Sequence, residues 1–257
     1  MFIQSSSLKR QVQVDFYMPE AVAAPVEAHL LLFNDGQELC KMDFGSIMGG
    51  LLASRSIQPL VCIGIHAGQD RMNEYGTMGV SDFAGRGAKA DSYVRFIMEE
   101  LLPAIYAQCD GYIFKSVSIA GFSLGALSAM DIGWKYSQTF SRLGLFSGSF
   151  WWRAKDKEDP AFNERRDRIM QRKVAEGNYQ PGLRFFFECG TDDEAEDRNG
   201  NGIIDSIDDT MALMDELVKK GYDRERDIRY VEVPGGRHEV GTWARVMPEF
   251  LIWGWGK

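Results

Sequence analysis

Six short apolar runs most constrain what this chain can fold into: AHLLLF (28–33), PLVCIGIH (59–66), SVSIAG (116–121), LGLFSG (143–148), LRFFFECG (183–190) and IRYVEV (228–233). Each is too short for a buried helix and too continuous for a strand with one wet face, so each reads as a strand covered on both sides. Between them lie segments of helical spacing at 91–109, 124–136, 161–176, 209–220 and 240–253. Asp91 is a candidate N-cap and Gly221 a stop, while Pro103 and Pro248 should kink or divide their helices. RQVQVDFYM (10–18) instead alternates, with Val12, Val14 and Phe16 on one side, and reads as an antiparallel entry strand. Strands alternating with helices along the whole length predict a doubly wound, mostly parallel α/β sheet with helices on both faces, as one domain over 1–257.

Gly121-Phe122-Ser123-Leu124-Gly125 follows one of these strands and opens a helical segment. G-x-S-x-G is the pattern of a strand that turns abruptly into a helix and presents a serine hydroxyl at the sheet's carboxyl edge. The pentapeptide alone is common. Its setting, strand before and helix after, is what gives it weight.

A serine hydroxyl needs a base to take its proton. The histidines are His29, His66 and His238. His29 opens an apolar strand and His66 closes one, which suits structural roles. His238 lies in VPGGRHEVGTW, after the last strand, and completes the chain order Ser, Asp, His of α/β-hydrolases. The orienting acid should follow LRFFFECG, in the loop that begins TDDEAED, where Asp192, Asp193, Glu194, Glu196 and Asp197 compete. For a developing oxyanion, one donor is the N–H of Leu124, and NDGQ (34–37) after an earlier strand offers a second, the N–H of Gln37.

The formal net charge is -8, which leaves no cationic surface for a phosphate backbone, so nucleic acid is excluded as a partner. No run approaches the roughly 18 apolar residues of a membrane span, and MFIQSSSLKR lacks the apolar centre of a secretory signal. The expectation is a cytoplasmic protein with no membrane partner. Cys40, Cys62, Cys109 and Cys189 form no C-x-x-C pair and read as reduced, structural thiols. Oligomeric state leaves no mark on the sequence.

Taken together, VQVDFYMP, NDGQ, GIHAGQDRMNEYG, YVRFIMEELLPAI, IAGFSLGALSAM, LFSGSFWW, CGTDD and GGRHEVGTW resemble the esterase D and enterochelin esterase-like family of α/β-hydrolases, which includes feruloyl and acetyl xylan esterases. The resemblance runs through nearly the whole chain. It implies a Gly-Thr-x-Asp acid, which aligns on Gly190-Thr191-Asp192-Asp193 and favours Asp193, with Asp192 as substitute. It also implies a serine ester hydrolase acting on a small-molecule ester, with no cofactor required for catalysis. Acyl-sugar esters, siderophore lactones and small acyl esters all fit. An acyltransferase would use the same triad, and a non-catalytic carbohydrate- or calcium-dependent binding module is the reading from another class.

DRNGNGIIDSID (197–208) departs from that family pattern. Asp197, Asn199, Asn201, Ile203 and Asp208 have the spacing of a structural calcium loop, with Gly202 and Asp205 at two further positions of the repeat. The same residues also read as an Asn-Gly turn leading into an Asp-capped helix. Trp151 and Trp152, just after a central strand, are candidates for an aromatic wall around a ligand, and Arg71 and Tyr75 for further pocket residues.

Overall fold

The computed structural model describes residues 1–19 and 25–257. Among them the strands are β1 (Phe2–Ser5), β2 (Arg10–Tyr17), β3 (Val26–Asn34), β4 (Leu60–Ile65), β5 (Tyr112–Phe122), β6 (Phe140–Phe146), β7 (Arg184–Gly190) and β8 (Ile228–Val233). They form one sheet in the order β1-β2-β4-β3-β5-β6-β7-β8. β2 runs antiparallel to both β1 and β4, and every other pair is parallel. Each of the six apolar runs is therefore a parallel strand, and RQVQVDFYM is the antiparallel entry. This is an α/β-hydrolase-like fold.

Alternate residues of the strands feed two apolar layers. Leu31, Phe33, Phe122, Phe146 and Phe186 pack beneath the helices Phe44–Ala53 and Val240–Trp255. Leu30, Leu32, Ile119, Leu145 and Phe187 face the opposite layer, covered by Leu124–Lys135, Ile169–Glu176 and Asp205–Lys220. Fully burying a Leu, Ile or Phe stabilises by about 1.5–3 kcal/mol each, and coverage of both faces is why the strands lack polar alternation.

The helices depart from expectation in instructive ways. Lys89, not Asp91, precedes the helix Ala90–Arg95; Asp91 sits in its first turn and accepts the Gly79 N–H at 3.0 Å. That helix passes through a π-helical stretch, Phe96–Leu101, before Leu102–Gln108. Pro103, which has no N–H to give the preceding turn, is the second residue after this widened stretch. Pro248 lies inside Val240–Trp255 without dividing it. The segment expected at 161–176 is two helices, Glu164–Asp167 and Ile169–Glu176, parted by an extended Arg168. Among the described residues, no helix is long and apolar enough to cross a membrane.

Candidate active site

β5 lies near the middle of the sheet, and its last residue, Phe122, is followed at once by Ser123 and the helix Leu124–Lys135. Ser123 holds φ 56° and ψ -121°, a conformation that L side chains rarely adopt. Its strain is held by close backbone packing. A Cβ at Gly121 would lie 2.5 Å from the Gly125 carbonyl, and one at Gly125 would lie 2.5 Å from the Asp35 carboxylate. Only glycine fits either place, which is the steric reason for the G-x-S-x-G spacing. The Ser123 N–H donates to the Phe146 carbonyl at 2.9 Å, and its hydroxyl lies 3.3 Å from that of Ser149.

His238 and Asp193 come to the same place from the loops after β8 and β7. Both line, with Ser123, Leu124, Ser149 and Trp151, a cleft of about 300 Å³. Asp192 is exposed, and its N–H donates to the Gly236 carbonyl at 2.8 Å. The two carboxylates therefore part company: Asp193 turns into the cleft and Asp192 away from it. Gly190 makes this convergence feasible, because a Cβ there would lie 2.6 Å from Asp193 Oδ1 and closer still to the Gly236 carbonyl of the histidine loop. Trp243 braces the histidine. Its ring stacks on Phe122 at 4.5 Å and meets the His238 imidazole edge-on at 5.5 Å, while Nε1–H donates to Ser147 Oγ at 2.9 Å.

Among the described residues no hydrogen bond closes on either Asp193 oxygen, although both are buried, and the Ser123 hydroxyl faces Ser149. Burial pushes the Asp193 carboxyl up, opposed by the nearby Ser147 hydroxyl, the Gly190 N–H and the His238 charge. His238 keeps an exposed edge, yet protein crowds its ring. That desolvation lowers its pKa against the attraction of Asp193, and the Arg71 cation lowers it further. The imidazole is thus biased toward the neutral form that can accept a proton.

Leu124 is the first residue of its helix and Gln37 the second of the helix Gly36–Lys41, so neither N–H has a carbonyl partner within its own helix. Gln37 lines a second opening of about 430 Å³ that shares Ser123, His238 and Arg71 with the first. The turn before it is fixed by a pairing that the sequence does not reveal. Asp35, with φ 60°, is buried, and Arg71 donates to both its oxygens at 2.7 Å. Asn34 donates to the Gly125 carbonyl at 2.8 Å and accepts from Tyr93 at 2.6 Å, which ties this turn to the serine helix.

The four expected ligand-facing residues separate. Arg71 and Trp151 line the cleft, joined by Arg86, whose guanidinium lies 5.1 Å from the Trp151 ring centroid and pairs with buried Asp82. Trp152 and Tyr75 are buried beneath it instead: Trp152 packs on Gly76 and Gly87, and the Tyr75 hydroxyl accepts the Asp35 N–H at 3.1 Å. His29 and His66 hold structural partners, Ser116 at 2.8 Å and Asp15 at 2.6 Å. All four cysteines are free thiols.

In the 197–208 loop the expected ligand groups hydrogen-bond among themselves. The helix expected at 209–220 begins at Asp205, which places Asp205 and Asp208 in its first turn. Asp205 turns inward and accepts the Arg198 N–H at 2.9 Å. Asp197 accepts the Gly202 N–H at 2.8 Å, the Asn199 and Asn201 amides donate to Asp208 at 2.7 and 3.3 Å, and the Ile203 N–H donates to the Asn201 side chain at 2.8 Å. Among the described residues, no group of three or more His, Cys, Asp or Glu is placed to hold a metal ion. The residues close on one another, and the expectation of structural calcium gains no support from them.

Residues 5–253 match the family model described as "Putative esterase". No curated protein matches the sequence significantly. Among solved structures, the chain is similar to the enterobactin esterase Fes from Shigella flexneri determined with enterobactin (21% identity, TM-score 0.74, 98% of this chain and 57% of that one). It is also similar to an IroE-like serine hydrolase from Shewanella oneidensis (19%, 0.68, 99% and 78%) and to the siderophore hydrolase EstB from Aspergillus nidulans (15%, 0.69, 98% and 93%). It spans little more than half the length of the enterobactin esterases, 57%.

Proposed function

The chain belongs to this esterase family; from that premise we propose that it is a carboxylic ester hydrolase, working as a single catalytic domain through a Ser123–His238–Asp193 triad. Ser123 attacks the ester carbonyl as His238 takes the hydroxyl proton, and Asp193 orients the imidazole and balances its charge. The N–H groups of Leu124 and Gln37 receive the oxyanion. As the intermediate collapses, His238 passes the proton to the leaving alcohol. Water, deprotonated by His238, then attacks the acyl-serine, and the proton returns to Ser123. No cofactor enters this cycle. The strained strand-to-helix turn that holds Ser123 beside His238 and Asp193 in one cleft carries the reading.

For substrate we favour small, uncharged acyl esters, acyl sugars among them, over ferric siderophore lactones. The cleft's arginines are already matched: Arg71 pairs with buried Asp35 and Arg86 with buried Asp82, while Asp193 and Glu194 add negative charge. A polyanionic ligand would meet little free positive charge there. The exposed part of Trp151 offers an apolar face for an acyl chain or sugar ring. The test is hydrolysis of p-nitrophenyl acetate by the wild type and Ser123→Ala, followed by acetylated sugars and a siderophore trilactone. The variant should lose at least about 10³-fold in kcat/KM with an unchanged fold. Retention within about tenfold would overturn the triad, and faster turnover of the trilactone than of any acyl sugar would overturn the substrate class.

A further inference from the structure

Glu188 is the one acidic residue within the apolar tract LRFFFECG, and it is fully buried. It belongs to β7, two residues before Gly190, and residues i and i+2 of a strand point to the same face. Asp193 Oδ1 occupies the place of the missing Gly190 side chain, so Asp193 lies in the same row as Glu188. Neither carboxyl has an ion-pair partner within salt-bridge distance among the described residues. Glu188 Oε1 and both Asp193 oxygens are buried without hydrogen bonds among the described residues, and Glu188 Oε2 lies 3.4 Å from Ser147 Oγ. Ser147 also receives Trp243 Nε1–H at 2.9 Å, and its own N–H donates to the Glu188 carbonyl at 2.8 Å, with φ held at 44°. Two ionised carboxylates packed this way without cations would be strongly unfavourable.

We infer that Glu188 is a positioning residue for the triad acid: in its protonated form it donates to Ser147 Oγ and turns the Ser147 hydroxyl toward Asp193. This rests on the Ser123–His238–Asp193 reading above. The proton count closes. Ser147 Oγ accepts from Trp243 and Glu188, using both lone pairs, which leaves its single proton free to point toward Asp193, and the two carboxyls together carry one proton and one charge. Asp193 then faces a hydroxyl dipole and a neutral carboxyl in place of a second negative charge. If Glu188 ionises, the Ser147 proton swings back to Glu188 Oε2, and Asp193 loses the hydroxyl dipole and gains a like-charged neighbour.

Burial, and next the charge of Asp193, push the Glu188 carboxyl up to about 8, while Ser147 and Arg245 of the helix Val240–Trp255 oppose them. The other titratable neighbours are Tyr230 on β8 and the Cys189 thiol, both held neutral in this range by burial.

The experiment is the pH profile of kcat/KM for p-nitrophenyl acetate from about pH 6 to about pH 10, for wild type, Glu188→Ala and Glu188→Gln. Activity of the wild type should fall along an alkaline limb centred near pH 8. Glu188→Ala should lose about tenfold or more at neutral pH, the equivalent of one hydrogen bond to a charged group. Glu188→Gln, which keeps an N–H donor but cannot ionise, should restore the neutral-pH rate and lack the limb. Thermal unfolding supplies a readout free of catalysis. A folded-state proton that the unfolded chain releases near pH 4.5 makes wild-type stability decline as pH rises from there to about 8, so Tm of Glu188→Gln relative to wild type should climb over that window. An unchanged alkaline limb in Glu188→Gln, a rate as low as that of Glu188→Ala, or a constant Tm difference would each overturn the inference. If Ser123→Ala stays active, the triad falls and this relay with it; if Ser123→Ala is silent and Glu188→Gln titrates like wild type, the relay alone fails.

Discussion

Replacing Gly190 with alanine tests how closely the acid and histidine loops are packed together. The new Cβ would stand 2.6 Å from Asp193 Oδ1 and nearer still to the backbone carbonyl of Gly236, against 3.4 Å for ordinary contact. Asp193 must therefore retreat by most of an ångström, or the Gly236 turn must move by more, and His238 lies two residues along that turn. A misplacement of about 1 Å costs on the order of 10²-fold in rate, and overpacking a close contact costs about 1–3 kcal/mol. For a chain of this size that is roughly 2–12 °C in Tm. The assay is kcat/KM for p-nitrophenyl acetate beside Tm from circular dichroism, with Gly49→Ala as control. Gly49 is exposed in the helix Phe44–Ala53 with nothing within 4 Å of an added Cβ, so alanine there should raise stability by about 0.5–1 kcal/mol and leave the rate alone. Gly190→Ala with a rate within about threefold of wild type and an unchanged Tm would refute the reasoning, since neither loop would then depend on that space.

Under the proposed triad the acid limb of kcat/KM should have its midpoint below the ordinary imidazole value of about 6.5, because the neutral His238 ring would be the base and desolvation of the ring, with the Arg71 cation, lowers its pKa. A midpoint above about 6.5 would mean that the Asp193 charge outweighs both. Asp209→Ala should lose about 1.5–3 kcal/mol, roughly 3–12 °C in Tm, because buried Asp209 accepts Arg168 at 2.8 Å and Arg198 at 2.6 and 3.0 Å, and Arg168 would keep only Glu164 and Arg198 only Glu164 and Asp205. A shift below about 1 kcal/mol in urea unfolding would show that solvent already screens the cluster.

The parallel strands are legible in the sequence because burial of both faces removes polar residues, leaving tracts such as LRFFFECG that nothing but a covered strand explains. FIQS is not, since β1 is short and half wet. Phe44–Ala53 is hidden by its three glycines, which weaken the helical signal without preventing packing against Val240–Trp255. The start of Asp205–Lys220 is misread because aspartates suit both a helix's first turn and a calcium loop, and only the inward turn of Asp205 toward Arg198 separates them. At the site, Ser123 and His238 stand out by spacing and chain order. The placement of Asp193 over Asp192 depends on a turn of the backbone that neither residue type announces. The Asp35–Arg71 pair and the Ser147–Glu188 contact link distant segments, so no local pattern encodes them, although a glutamate inside an apolar strand is itself a visible anomaly.

The strand order also governs when the chain can become active during synthesis. β5 lies between β3, made earlier, and β6, made later, so the Ser123 turn cannot be fixed until both flanks are paired. His238 is translated later still, and Trp243, which braces it, stacks on Phe122 only when the helix Val240–Trp255 has docked. Under the proposed triad, a ribosome-bound chain that ends before His238 carries its serine without a base and should hydrolyse no ester, and the onset of turnover in a series of stalled chains would mark the moment the sheet closes.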